Sequence, residues 1–213
     1  MLFIDNIVCE FVHFLCEIGG GFFTPFFKLI SFLGEKSWFL LLVAVFLCLN
    51  KRTRWVALTA IFAVFIGWII ADYGIKPMIA RVRPFQSSYP KLYEYWVAAG
   101  SVMEDDFSMP SGHTLGVAAF FTSLYITCKK EYRKGILIAG VISVILMTLS
   151  RCYFMHHYFT DCLVGAIIGI LVSFVAKFIV KLIYKLCKSF PDFFLFNFAL
   201  NFDLFEFILR KHD

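Results

Sequence analysis

Long apolar runs alternate with short polar breaks along this chain, and the breaks hold most of its charge. Residues 38–49 are apolar without interruption and make a short span once the flank from Gly34 is added. Residues 55–71, 111–128, 135–149 and 158–184 are further apolar runs. A crossing helix needs about 20 residues, so the shorter runs must borrow from their flanks. Residues 4–18 follow another pattern. Asn6, Glu10, His13 and Glu17 recur in helical steps, with Ile7, Val8, Phe11, Phe14 and Leu15 on the opposite side. That stripe predicts a helix lying in a membrane interface. Gly19, Gly20 and Gly21 are expected to break it, and residues 22–33, interrupted by Pro25, read as a second interfacial or re-entrant piece. Residues 191–213 are rich in Phe but interspersed with Asp192, Asn197, Asn201, Asp203 and Glu206, which predicts an interfacial tail. The expected fold is all-α: a polytopic membrane bundle of five to six transmembrane helices plus interfacial helices. It forms one domain over 1–213, with the bundle at 34–188 between N-terminal pieces at 1–33 and a tail at 189–213.

Composition supports this reading. The chain is 61% hydrophobic and only 16% charged, against about 25% charged in a soluble domain. Residues 1–20 contain acids and lack a basic leader region, so no secretory signal is expected. The seven cysteines are scattered, without C-x-x-C pairs, and should act as small apolar residues in or beside spans. Basic residues cluster at Lys51, Arg52 and Arg54, at Lys129, Lys130, Arg133 and Lys134, and at Lys177, Lys181, Lys185 and Lys188. Alternating spans put these clusters on one side, the cytoplasmic one by the positive-inside tendency. Segments 77–110 and 150–157 then meet on the exoplasmic side. The net charge of +5 is modest, and the expected partner is a bilayer rather than nucleic acid.

Ionisable groups at the edge of a span are costly to place, and three clusters of them stand out. Lys76 and Arg83 follow one span; alone they could be snorkelling anchors, with Asp72 as an ion-pair partner one turn before Lys76. Pro110, Ser111, Gly112 and His113 open another run. Proline is pre-organised for a helix start, and the free N–H groups there suit an anion, although a helix start with an incidental histidine has the same sequence. The third cluster packs Arg151, His156, His157 and Asp161 between two spans. His157 and Asp161 are four residues apart, so a carboxylate could accept one ring N–H and leave the other nitrogen nucleophilic. That spacing, which His156 lacks, selects His157 from the doublet and makes His156 the dispensable one. Gly165 and Gly169 continue the stripe of Asp161, a small-xxx-small pattern that points this face into the bundle. His13 between Glu10 and Glu17 lacks a fourth ligand nearby, and no other group has metal-ligand spacing.

Taken together, Lys76-x6-Arg83-Pro84, Pro110-Ser111-Gly112-His113 and Ser150-Arg151-x5-His157-x3-Asp161 resemble the three-part signature of the type 2 phosphatidic acid phosphatases. The resemblance implies a membrane lipid phosphatase with a phosphohistidine intermediate. It gives His157 the role of nucleophile, Asp161 that of orienting His157, and His113 that of general acid and base. Lys76, Arg83, Ser111, Gly112 and Arg151 would bind the phosphoryl oxygens. No metal or cofactor is expected, because three cations and a helix end can carry phosphoryl transfer by positioning and charge. The implied substrate is a lipid phosphate: phosphatidate, phosphatidylglycerol phosphate, polyprenyl diphosphate or a phosphorylated lipid A. Tyr89, Tyr93, Tyr95 and Trp96 suggest an aromatic cap over the pocket, and Glu94, Glu104, Asp105 and Asp106 would restrict highly anionic heads. The rival readings are a lipid phosphotransferase of the same family, a haloperoxidase, and a non-catalytic lipid transporter or scaffold. The spans argue against the second, and the intact His113, His157 and Asp161 against the third.

Overall fold

The computed structural model describes residues 1–204; the end of the Phe-rich tail, 205–213, lies outside them. Nine α-helices and no strand occur among the described residues. They are α1 (Phe3–Gly34), α2 (Trp38–Cys48), α3 (Arg54–Ile69), α4 (Lys76–Ile79), α5 (Pro90–Ala98), α6 (Gly112–Thr127), α7 (Lys130–Tyr153), α8 (Phe159–Ser189) and α9 (Phe194–Asn201). By length and composition α1, α3 with its continuation, α7 and α8 could each cross a membrane, and α2 is a shorter apolar helix. The protein is an all-α, multi-pass membrane bundle.

Helix α6 is central, packed against α3, α7 and α8. Lipid tails are as apolar as Leu, so close packing rather than water exclusion holds such helices together. The contact surfaces are accordingly small. Ala44, Ala57, Ala60, Ala63, Ala119 and Ala176 form a buried cluster with Val64, Phe120 and Val172. On α8, a Cβ added at Gly165 would stand 2.5 Å from the carbonyl oxygen of Ser111, and one at Gly169 would stand 2.5 Å from that of Leu115. The stripe predicted to face the bundle therefore brings backbone against backbone, as expected.

The two ends of the bundle differ. At one end Trp55 packs on Tyr184 with ring centroids 4.8 Å apart, and Lys177 donates to the Ile126 carbonyl at 3.0 Å. Lys51 and Leu204 close the same end through Asp203 and the Leu49 carbonyl. The three basic clusters thus share one end. Segments 76–110 and 150–160 meet at the other.

The N-terminus departs from expectation. The three glycines do not end the helix; they bend it at Gly19 (φ −157°, ψ 34°), and α1 runs on through Pro25 to Gly34. Its polar side chains are not simply solvated. Asp5 is fully buried, Glu10 bonds to Lys91 and to Tyr95 Oη (2.9 Å), and His13 stacks on Tyr95 at 3.6 Å. Further along, Thr24 bonds to Tyr153 at 2.7 Å and Ser150 donates to the Phe27 carbonyl at 2.8 Å. Every one of these partners belongs to the end of the bundle where segments 76–110 and 150–160 meet. Cys9, Val12 and Phe27 there join Leu92, Cys152, Tyr153, Met155 and Cys162 in a second buried cluster.

Candidate active site

Three stretches deliver side chains to that end. After Ile69 the helix widens into a π-helical segment, Ile70–Ile75, before tightening into α4. Such segments inside helices are frequent at functional sites. Asp72 and Lys76 come onto one face, 2.7 Å apart. Ala80, in the left-handed region (φ 47°), ends α4 and turns the chain toward Arg83. Arg83 is 1% exposed. Its Nε donates to the Asp106 carbonyl at 2.8 Å and its Nη1 to the His156 carbonyl at 2.7 Å, and Nη1 stands 3.3 Å from His157 Nε2. A buried guanidinium needs this many acceptors to offset its lost hydration.

The third stretch makes a tight turn through Met155 (φ 51°) that aims both imidazoles inward. His157 is buried, and its Nδ1 lies 2.6 Å from the Ser108 carbonyl. A carbonyl only accepts, so Nδ1 carries the proton and Nε2 is the bare nitrogen. This corrects the expectation for Asp161. Its Oδ2 is 3.9 Å from His157 Nδ1, too far for a hydrogen bond. Asp161 instead accepts the Ser108 hydroxyl at 2.5 Å, the Tyr158 N–H at 2.9 Å and a bond from Arg81. It reaches His157 through Ser108, whose hydroxyl holds the carboxylate and whose carbonyl holds the ring. Arg81 also donates to Thr160 (2.7 Å) and to Asp5 (2.9 Å), tying α1 to this network.

His156 is not idle either. Its Nε2 lies 2.9 Å from the Val102 carbonyl, so its Nδ1 is the acceptor for Arg151 Nη2 at 2.5 Å. Burial, then the Arg151 charge, push its pKa down to about 4, so it holds Arg151 as a neutral ring. Arg151 also bonds to Ser31 Oγ at 2.5 Å and to Glu104. His157 is held well below the usual imidazole range, first by burial and then by Arg83, Arg151 and His113.

At the start of α6, Gly112 and His113 face a cavity of about 1010 Å³ that Lys76, Arg83, Arg151, His156 and His157 also line. A Cβ at Gly112 would meet nothing within 4 Å, so the helix end is open to an incoming group. Ser111 corrects its assignment. It is fully buried, its hydroxyl lies 3.3 Å from Thr114 Oγ1, and its N–H donates to the Asp161 carbonyl at 3.1 Å. It fastens α6 to α8 rather than presenting its hydroxyl to the cavity. The aromatic helix α5 stands beside the site: Trp96 stacks on Phe85 at 5.2 Å, and Phe85 meets the His156 ring edge-on at 6.4 Å. Of the four acids expected to guard the pocket, Glu104, Asp105 and Asp106 line the cavity, while Glu94 is exposed on α5.

Chemically this is a neutral imidazole whose unprotonated nitrogen is approached by Arg83, beside three cations and an open helix end. Its signature stretches lie within residues 55–185, which match the family model described as the PAP2 superfamily. The chain belongs to the PAP2 superfamily. Two curated relatives are similar to it. An undecaprenyl-diphosphatase of Sulfolobus acidocaldarius is 29% identical over 123 residues, 58% of this chain and 54% of the relative. Phosphatidylglycerophosphatase B of Bacillus subtilis is 35% identical over 98 residues, 43% of this chain and 42% of the relative. The chain thus matches about half the length of these curated relatives. The PAP2 fold itself is shared with the crystal structure of a transmembrane PAP2-type phosphatidylglycerolphosphate phosphatase from Bacillus subtilis. The TM-score is 0.64 at 21% identity, covering 83% of this chain and 84% of that one.

Of the residues picked out in the sequence, Lys76, Arg83, Gly112, His113, Arg151 and His157 line one cavity, whereas Ser108, Arg81 and Asp5 were missed. Ser108 acts on the ring through its backbone, which no side-chain pattern encodes. Arg81 lies within the Lys76–Arg83 stretch and was available as a candidate. Asp5 lies one residue outside the polar stripe that drew attention to α1.

Proposed function

We propose that this protein is a membrane lipid phosphatase hydrolysing the phosphomonoester or diphosphate head of a lipid through a phosphohistidine intermediate. The observation that carries the reading is the unprotonated Nε2 of His157, a residue lining a cavity that mixes cations with greasy side chains. Lys76, Arg83 and Arg151 line it together with Phe32, Val64, Phe65 and Trp68, and Phe32, Phe65 and Trp68 are also exposed on the bundle surface. A phosphate head with an acyl or prenyl tail has that pattern, and the names of the two relatives point to phosphatidylglycerol phosphate and undecaprenyl diphosphate as head groups to try.

The geometry supports the following steps. His157 Nε2 attacks phosphorus; the N–P bond forms as the bond to the leaving oxygen breaks, and His113, protonated once the anionic head offsets the surrounding cations, gives that oxygen its proton. Neutral His113 then takes a proton from water, whose oxygen attacks phosphorus and breaks the N–P bond, releasing orthophosphate. Lys76, Arg83, Arg151 and the N–H of Gly112 stabilise the equatorial oxygens, where the transition state concentrates charge. Asp161 orients His157 by way of Ser108. No step uses a metal. The site lies on the exoplasmic face of the cell membrane, and α1 rests in the interface beside it.

The test is phosphate release by the purified protein in detergent, over phosphatidate, phosphatidylglycerol phosphate and undecaprenyl diphosphate, with and without a chelator. We expect release from at least one head, undiminished by the chelator. His113→Ala should lose about 10²–10⁴-fold, and His157→Ala at least as much. No release from any head, or full activity in His157→Ala, sinks the reading. Transfer of the group to a second lipid without free phosphate would make it a phosphotransferase instead.

A further inference from the structure

Two carboxylates of one loop already sit where the phosphoryl oxygens are meant to go. Asp106 bridges Lys76 and Arg83. Glu104 bridges Arg83, at 2.6 Å, and Arg151. Each of the three cations assigned to the phosphoryl group is therefore engaged by carboxylate oxygen. An incoming phosphoryl group carries the same sign of charge and needs the same donors. It cannot reach all three cations while these contacts stand.

The loop is built to let go. It is pinned at one end by Ser101, which donates to the Phe154 carbonyl at 2.9 Å, and by the Val102 carbonyl on His156. At the other end the Ser108 N–H donates to the Arg81 carbonyl at 2.8 Å. Between those pins, the polar contacts of residues 103–107 run to the cations and to one ring beside them: the two carboxylates, the Asp106 carbonyl on Arg83 Nε, and Glu104 Oε1 at 3.1 Å from His156 Nδ1. Val102 and Met103 are exposed, and the Asp106 side chain is 53% exposed against 1% for Arg83. The acids thus stand on the open side of buried cations and can withdraw without unpacking the core. Burial raises both carboxyls, but the neighbouring cations outweigh it and hold Glu104 and Asp106 below the usual carboxylate range, so both are ionised competitors at neutral pH.

We propose that Glu104 and Asp106 are an internal competitor for the phosphoryl site, filling it at rest, yielding to an anionic lipid head, and returning to expel orthophosphate after turnover. The inference rests on the reading of Lys76, Arg83 and Arg151 as the phosphoryl-binding set. It makes the two acids determinants of how tightly any phosphate head is held. Apparent affinity is the intrinsic affinity reduced by the fraction of molecules whose site is free, so removing the competitor must tighten binding.

The test is orthophosphate binding to the full chain in detergent by titration calorimetry, for wild type, Asp106→Asn, Glu104→Gln and the double variant. The dissociation constant should fall stepwise, by about tenfold or more in the double variant, given the strength of charge interactions at a few ångströms. Orthophosphate should also become a stronger product inhibitor of lipid turnover. An unchanged or weaker dissociation constant in a folded variant overturns the proposal, because it would make the acids mere supports for Arg83 and Arg151. If the double variant fails to fold by circular dichroism, the single variants decide in the same way. Wild type that binds no orthophosphate while the variants do supports the proposal; absence of binding in all four overturns it. Failure of the phosphatase reading looks different: no lipid is turned over, yet the dissociation constant still tightens.

Discussion

His157, Ser108 and Asp161 form a relay in which the carboxylate and the imidazole never touch. The four-residue spacing of His157 and Asp161 was legible in the sequence and separated His157 from His156. What the spacing could not show is that a backbone carbonyl from another loop takes the ring proton, at 2.6 Å, while Asp161 stays 3.9 Å away. It also made His156 look dispensable, although that ring holds Arg151. Ser108→Ala tests the relay. The carbonyl remains but loses its tether to Asp161, so the ring should drift and kcat fall about 10- to 100-fold with little change in KM. The Ser108 carbonyl favours the protonated ring, against burial and the nearby cations. Weakening it lowers the His157 pKa further, so the acid limb of kcat/KM should move to lower pH. Ser108→Thr keeps the hydroxyl and should restore most of kcat. A Ser108→Ala enzyme with a normal kcat and an unmoved acid limb would show that the relay has no mechanistic weight.

At the scale of elements, the apolar runs predicted α2, α3, α6, α7 and α8, because an uninterrupted apolar stretch of this length must be helical to satisfy its backbone in lipid. The N-terminus was harder to read. Three glycines look like a helix break, yet packing of Thr24, Phe27 and Ser31 against α7 carries the helix past them with only a bend at Gly19. The same packing logic places the helix end proposed to bind the phosphoryl group. The start of α6 is set by its close approach to α8, where Gly165 leaves room for the Ser111 carbonyl. Gly165→Ala should push that carbonyl away, costing about 1–3 kcal/mol as overpacking does, and turnover should fall with it because Gly112 and His113 move. Gly135→Ala is the control: its Cβ meets nothing within 4 Å, and Ala is the better helix former. Thermal unfolding in detergent should drop for Gly165→Ala and hold or rise for Gly135→Ala. Equal behaviour of the two would remove close helix approach as the cause.

At the scale of the whole molecule, charge and chemistry are segregated to opposite ends, and the odd–even order of spans is what separates them. The basic clusters close one end through Lys177, Lys51 and the Trp55–Tyr184 contact, while the cations of the cavity lie at the other, neutralised by Glu104 and Asp106. That difference predicts an orientation. Lys and Arg in short loops near span ends bias those loops to the cytoplasm, whereas cations folded into a site and paired with acids contribute less to the bias. The cavity should therefore face outward, and any lipid it acts on must present its head in the outer leaflet. Single cysteines in a background with the native cysteines replaced can check this. Ser88 is exposed beside the site and Glu131 is exposed at the basic end. In intact cells making the full chain, a membrane-impermeant maleimide should label Ser88→Cys, and should label Glu131→Cys only after permeabilisation. The reverse pattern would put the site in the cytoplasm and require its substrate in the inner leaflet.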